Sequence, residues 1–421
     1  MKILVVGGGG REHAIIEKLK ENKSVEKIYA LPGHGGIAAD AECYPVKAND
    51  IEGIVAFAAA HPVDFAVVAP DDPLVLGCVD RLEAMGIPCF GPHANAAIIE
   101  GSKVFSKNLM KKYGIPTAAS ETFDDPEQAI AYLATVDYPT VIKADGLALG
   151  KGVVIAQDFE EAKAAIHDMM CDKCFGESGS RVLVEEFLTG PEVSVLSFTD
   201  GKVVVPMISS MDHKRAKDND EGLNTGGMGT VAPNPYYTPA IAEQCMKEIF
   251  LPTVAAMNAE GRTFKGCLYF GLMLTPKGPR VIEYNCRFGD PETQVVLPLL
   301  ESDLLTVMKA VHDGTLADTE VKFSTGAACC VVLASDGYPK KYESGFPMTL
   351  PETAAGEYLF VAGARKEGDT VLTAGGRVLG ATATADDLAT AVKRAYVLAG
   401  KVHFENAYYR KDIGKRALAA K

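Results

Sequence analysis

The stretch KILVVGGGGREHAII, residues 2–16, reads as a short apolar strand, a run of four glycines and an amphipathic helix. A strand that feeds a glycine-rich turn into a helix N-terminus makes a seat for an anion. Backbone N–H groups point outward there and the helix dipole favours negative charge. A dinucleotide turn would need glycines at its first, third and sixth positions, and an acid about 20 residues further on. Gly7 and Gly9 fit the first two positions, but Glu12 stands at the sixth. The second strand, KIYALPG (27–33), ends in Leu31-Pro32-Gly33 with no acid at its tip. The pattern favours the phosphate of a smaller ligand over a dinucleotide or a turn that holds nothing.

Working outward, KILVV, KIYAL, DFAVVAP and IPCFGP are short apolar strands separated by helical segments. This alternation predicts a doubly wound parallel sheet over residues 1–102. The loops VVGGGGRE, ALPGHGG and VVAPDDPL fall at carboxyl ends of its strands, where such sheets bind ligands. From about residue 101 the pattern changes. GSKVFSKNLMKKYGIP is a basic helix stopped by Gly114-Ile115-Pro116, and a small α+β unit follows: strand PTVIKAD, glycine loop GLALGKG, strand VVIA, a helix from Asp158 and strand RVLVEEFL. Beyond Gly190 come two hairpins, EVSVLSFTDGKVVVPMI and GCLYFGLMLTPKGPRVIEYNCR. Between them lie a long polar loop (209–235) and a helix (239–260). A compact C-terminal region opens near GAACCVVLAS. The expected units are 1–102, 103–325 with 118–190 as a lid, and 326–421.

The chain has 421 residues, 48% hydrophobic and 23% charged, with a net charge of −13. That balance suits a soluble globular protein and argues against a general nucleic-acid or anionic-membrane surface. An anionic ligand must then be met by local cations. No apolar run approaches the roughly 20 residues of a membrane span, and the N-terminus enters a strand without a signal pattern; a cytoplasmic location is expected. The ten cysteines are scattered, mostly in apolar contexts, and read as free thiols. The one C-x-x-C, Cys171 and Cys174, lacks an apparent second pair or matching histidines for zinc.

Several residues carry chemistry. Lys143 ends a strand ahead of the glycine loop and is placed to grip phosphates, although Gly146, Gly150, Lys151 and Gly152 miss the P-loop spacing. The strand holding Glu185 and Glu186, read as an edge strand, could recognise an adenine through its backbone, with an acid such as Glu192 for the ribose. In RVIEYNCRFGDPETQ (280–294), alternation sets Val281, Glu283, Asn285 and Arg287 on one face, with Ile282, Tyr284 and Cys286 toward a core. Two oxygen donors beside a cation suit Mg²⁺ with phosphate oxygens completing its shell, and Arg287 suits a carboxylate. In the loop 211–229, His213, Lys214 and Arg215 add positive charge and Asn224–Gly229 could form an anion nest. His213 is not specific enough to be named a general base.

These motifs together resemble the ATP-grasp superfamily and, within it, the glycinamide ribonucleotide synthetases, or phosphoribosylamine–glycine ligases. The resemblance runs end to end through GGGGREHA, GPHANAAIIEGSK, VIKADGLALGKGV, VEEFLTG, DHKR, NTGGMG, IEYNCRFGDPETQ and RKDIG. NTGGMG and RFGDPETQ are the most specific. Departures are His34 for the usual asparagine, Asp71-Asp72 for a glutamate-led pair, and Thr230 after NTGGMG. The resemblance implies an α/β enzyme: an N-terminal parallel-sheet domain, two α+β ATP-grasp subdomains and a small C-terminal α+β domain. It implies ligation of glycine to 5-phosphoribosylamine at the expense of ATP, through a glycyl phosphate, in purine biosynthesis. It further implies ATP contacts at Lys103, Lys143, Gly150, Lys151, Gly152, Glu185, Glu186, Phe187, Leu188 and Glu192. Substrate contacts would be Gly9, Gly10, Arg11, Asp212, Lys214, Asn224, Thr225, Gly226, Gly227, Arg287, Asp290 and Pro291. Glu283 and Asn285 would hold Mg²⁺ or Mn²⁺, with Arg287 and Lys143 catalytic. A monomer is expected, with no nucleic-acid or membrane partner and transient contact with neighbouring pathway enzymes. Alternatives are another ATP-grasp carboxylate–amine ligase of purine metabolism, a non-catalytic nucleotide-binding regulatory module and, more remotely, a dinucleotide oxidoreductase.

Overall fold

The computed structural model describes residues 1–147, 152–174 and 176–420. Five parallel strands form the first sheet, in the order Glu42–Cys43, Lys27–Pro32, Lys2–Gly7, Phe65–Val68, Cys89–Phe90. The central strands are apolar from Ile3 to Val6 and from Phe65 to Val68 because helices cover both faces, as a parallel sheet requires. The loops after Gly7, Pro32 and Val68 leave the same end of this sheet. The basic helix runs over Lys103–Tyr113. Ser102 caps its first turn by accepting from the Phe105 N–H (3.1 Å), and left-handed Gly114 ends it.

A four-stranded antiparallel sheet follows, ordered Ser120–Phe123, Val182–Glu186, Thr140–Ala144, Val153–Ala156. The helices Pro126–Leu133 and Phe159–Ile166 pack with it around a separate small core that includes Leu133, Ile142, Ile166 and Val184. Val182–Glu186 is therefore an interior strand, not the edge strand expected from its sequence. Both of its neighbours consume its backbone groups, and the Glu186 N–H donates to Ala119 O.

The next sheet is also antiparallel, ordered Val204–Pro206, Glu192–Thr199, Gly266–Thr275, Gly278–Asn285, and contains both expected hairpins. Its last pair carries a bulge: Gly271 faces Glu283 while Leu272 faces Val281, leaving Ile282 over. The extra residue reverses the alternation. Val281 accordingly joins Tyr284 and Cys286 in one core and does not share the face of Glu283, contrary to strict alternation.

The polar loop 209–235 is not all loop. Its segments Met211–Asp212 and Gly229–Ala232 are strands at one end of a sheet whose other members are Ala327–Ser335, Arg377–Ala385 and Glu357–Val361, with Ala407–Tyr408 beside Ala327–Ser335. The mid-chain loop is thus built into the C-terminal sheet, against which the helix Leu388–Ala399 packs. The expected helix 239–260 is Pro239–Cys245 and Leu251–Ala259 joined by a π-helical turn, Met246–Phe250. All ten cysteines are free. Among the described residues no helix is long and apolar enough to cross a membrane.

Candidate active site

The glycine turn explains its own departure from the dinucleotide pattern. The helix Gly10–Lys20 starts at Gly9, whose N–H donates to Glu12 Oε2 at 2.7 Å. Glu12 Oε1 accepts from Arg11 Nε at 2.7 Å. Glu12 is buried, and it fits because Gly7 has no side chain: a Cβ there would lie 2.5 Å from Glu12 Cγ, and φ is +126°. The Arg11 N–H faces Asp290 Oδ2 at 3.4 Å and Arg11 Nη1 donates to Phe288 O at 3.2 Å. The turn is thus tied to RFGDPETQ, 277 residues away along the chain. In this structure two of the N–H groups expected to hold phosphate, those of Gly9 and Arg11, face carboxylates of the protein itself.

Glu283 stands at the centre of the charged site. Burial favours its protonated form, but Lys214, Lys143, Lys103 and Arg287 outweigh that and hold its pKa below the usual glutamate value. Lys143 Nζ is fixed by Glu185 Oε2 (3.0 Å) and by the carbonyl of the bulged Ile282 (3.1 Å). Glu185 also binds Lys107 Nζ at 3.2 Å. Burial, with the Lys143 charge nearby, pulls the Lys107 pKa down to about 8 despite Glu185. The Glu185 carboxylate is therefore held between two lysines. Lys103 Nζ donates to Gly146 O at 2.8 Å, and burial lowers its pKa, with Lys143 adding to the effect. Arg287 Nη2 pairs with Glu100 Oε1 at 2.9 Å, while Glu100 Oε2 accepts from the Cys286 N–H. Asp71, one of the departures from the family pattern, lies beside Arg287 and Arg11, whose charges lower its pKa against the effect of burial.

A third group of residues meets at Asp290–Pro291. Gly227, at φ +118°, approaches so closely that a Cβ would lie 2.4 Å from Pro291 Cδ and 2.6 Å from Asp212 Oδ1. The Thr225 N–H donates to Lys214 O at 2.8 Å, and Lys214 Nζ lies 3.3 Å from Asp212 Oδ2. Burial raises the Asp212 pKa to about 7; Glu292 adds to the rise and Lys214 opposes it. Arg377, from the C-terminal sheet, donates to the carbonyls of Gly226 (2.9 Å) and Asp290 (2.9 Å) and pairs with Asp290 Oδ1 at 3.3 Å. His213 is no base: Nε2 accepts from the Gly414 N–H (3.1 Å), which leaves Nδ1–H to donate to Gly229 O (3.0 Å). Thr230, another departure, is buried and donates to Met211 O.

The structure thus gathers Gly9, Arg11, Lys103, Lys143, Asp212, Lys214, Gly226, Gly227, Glu283, Arg287, Asp290 and Pro291 into connected clusters. Asn224 is paired across a hairpin with Arg215. Phe187 and Leu188 follow the sheet, and Glu192 is exposed at the start of its strand. The Gly152 carbonyl accepts from the Ala144 N–H. Gly150 and Lys151 lie outside the described residues, as does most of the glycine loop. Sequence reading missed Lys107, Glu100, Glu292 and Arg377. Lys107 was one helical turn after Lys103, and Glu292 lay inside a motif already singled out. Arg377 had no local signal.

Family models divide the chain in the same order as its sheets. The phosphoribosylglycinamide synthetase N domain matches residues 1–100, the ATP-grasp (A) domain 101–293 and the C domain 328–416. The chain belongs to the phosphoribosylglycinamide synthetase family. The phosphoribosylamine–glycine ligase of Clostridium acetobutylicum is 46% identical over 415 residues, spanning 99% of this chain and 100% of that one. That of Vibrio cholerae is 46% identical, spanning 100% and 99%. The crystal structure of the Thermotoga maritima phosphoribosylamine–glycine ligase superposes with a TM-score of 0.88 at 35% identity, covering 98% of this chain and 100% of that one. A biotin carboxylase domain from Hydrogenobacter thermophilus, 18% identical with a TM-score of 0.77 over 97% of this chain and 91% of its own, shares the fold. Across the synthetase fold, the cations around Glu283 come from the A domain, the glycine turn from the N domain and Arg377 from the C domain.

Proposed function

We propose that the chain ligates glycine to 5-phosphoribosylamine, giving glycinamide ribonucleotide, ADP and phosphate. The observation that carries this reading is the convergence of Lys103, Lys143, Lys214 and Arg287 around one ionised carboxylate, Glu283, beside the glycine turn. So much local positive charge in a chain of net charge −13 suits a polyanion such as a nucleoside triphosphate. The ATP-grasp family uses ATP and a divalent metal, and we take the metal to be magnesium. Glu283 and Asn285 are hard oxygen donors two residues apart on one face of a strand and fit such an ion, which would supply charge neutralisation at the phosphate oxygens.

Lys103 and Lys143 hold phosphate oxygens, their ammonium groups fixed by Gly146 O and by Ile282 O with Glu185. Arg287, anchored by Glu100, orients the glycine carboxylate for in-line attack on the γ-phosphorus, with ADP leaving. The amine nitrogen of phosphoribosylamine then attacks the carbonyl carbon of glycyl phosphate; inorganic phosphate departs and the nitrogen loses a proton. The residues around Asp290–Pro291 and Arg11 hold the sugar phosphate, and we expect it to displace Asp290 from the helix N-terminus.

The test is ADP release from ATP and Mg²⁺ with glycine, with and without freshly generated phosphoribosylamine, and the mass of the product. ADP formed only with both substrates, together with glycinamide ribonucleotide, supports the ligase. Turnover with another acid or amine instead would overturn the substrate assignment, and bound ATP with no ADP under any combination would overturn the ligase itself.

A further inference from the structure

Cys171 and Cys174 take no part in the site described above. The other eight cysteines are buried or half-buried, whereas these two are exposed. They lie where the helix Phe159–Ile166 passes into a π-helical turn, His167–Cys171. Residues four apart, such as His167 and Cys171, share one side of such a turn. The chain then doubles back. The Asp172 N–H donates to His167 O (3.0 Å), Lys173 adopts a left-handed φ of 48°, and the Cys174 N–H donates to Asp168 O (3.2 Å). Cys174 is thereby returned beside the residues that began the turn. His167 Nδ1 lies 3.4 Å from Asp172 Oδ2, and ligand atoms of His167, Asp168 and Asp172 are all within 4.8 Å of one another. The imidazole and the two carboxylates form one compact group; the thiols of Cys171 and Cys174 lie on the same exposed turn outside that group and would reach it by rotating their side chains.

We propose that the turn His167–Cys174 is a zinc site, with Cys171, Cys174, His167 and one carboxylate of Asp168 or Asp172 as ligands. A nitrogen, two sulfurs and an oxygen form a tetrahedral set for a borderline-soft cation; magnesium and calcium prefer oxygen alone. The spacing H-x₃-C-x₂-C supplies the third ligand upstream on the same helix, where a search for a second C-x-x-C does not look. Each thiol gives up its proton to bind, so affinity rises with pH. The turn leads into Gly176–Gly179, where Ser178 O accepts from the Gly146 N–H and Ser178 Oγ donates to Leu147 O (3.0 Å). Gly146 O in turn receives Lys103 Nζ. A bound ion would therefore brace the backbone that leads to the ATP-facing lysine without touching substrate.

The experiment is a Co²⁺ titration of the full chain, kept reduced by a phosphine, without nucleotide or magnesium. A colorimetric thiol count first establishes that both exposed thiols are free. The expected result is a thiolate-to-cobalt charge-transfer band that saturates at one ion per chain and is bleached by one equivalent of Zn²⁺. The double variant Cys171→Ser, Cys174→Ser should lose the band. His167→Ala should weaken binding by more than the roughly 10–100-fold that loss of a supporting second-sphere partner costs. Absence of the band up to millimolar cobalt overturns the proposal, and so does a band that survives in the double serine variant. Cobalt bound at Glu283 and Asn285 gives no such band, so failure of the zinc site and failure of the ligase reading are distinguishable.

Discussion

Glu283 owes its charge to its surroundings: buried alone it would take up a proton, and four cations prevent that. Replacing it by glutamine keeps the shape and removes the charge. Glu283→Gln should lower kcat by about 10²–10³-fold, the cost typical of deleting one electrostatic contact to a transition state, with an unchanged circular-dichroism spectrum. Near-normal turnover would remove Glu283 from the mechanism. His213 gives a prediction of a different kind. Burial and the Arg410 charge lower its pKa to about 4, below the roughly 6.5 of an unfolded chain. The unfolded state therefore binds the proton first. His213 supports folding fully above about pH 6.5 and loses that support as pH falls toward about 4. The chain should lose about 2 kcal/mol between about pH 7 and pH 5 from this group alone. His213→Asn, compared with the parent in urea melts at both values, should show a shallower pH dependence.

The bulge at Ile282 shows what an element does that its sequence does not announce. Strict alternation would bury Ile282 with Tyr284, but the extra residue puts Val281 in that core and frees the Ile282 carbonyl for Lys143. A bulge depends on the pairing of two strands, so one strand read alone carries no sign of it. The edge position expected for the strand of Glu185 fails for a related reason: that strand is apolar and short whether it lies at an edge or inside a sheet. Glycine turns, strand-ending lysines and oxygen-rich strand faces were legible because local backbone chemistry dictates them. At Gly227 the constraint is testable. Gly227→Ala must strain a left-handed backbone and push against Pro291, at a cost on the order of 1–3 kcal/mol. It should raise KM for phosphoribosylamine more than KM for ATP. An equal rise in both would mean that NTGGMG does not serve the sugar phosphate.

At the scale of the molecule, the C-terminal region is tied to the centre by arginines. Arg410 is almost wholly buried and bonds Asp412, Asp220 and Arg215 O. Arg410→Ala would strip Asp412 of its partner, while Asp220, more exposed, keeps Arg416; the change should cost about 3 kcal/mol, the low end for a broken buried pair, read from the urea midpoint. Arg81→Ala, at the exposed pair with Glu52, should leave that midpoint in place. The sheet carries the same lesson further. Two of its six strands come from mid-chain: Met211–Asp212 pairs with Gly229–Ala232, which pairs in turn with Ala327–Ser335, a segment encoded more than ninety residues later. Family models place those two strands in the A domain and the rest in the C domain. A gene fragment that starts at the C-domain boundary would therefore encode an unfinished sheet with one naked edge, prone to pairing with copies of itself. Chimeras with relatives would have to exchange both segments together, which makes the boundary between these two modules a poor place for recombination to cut.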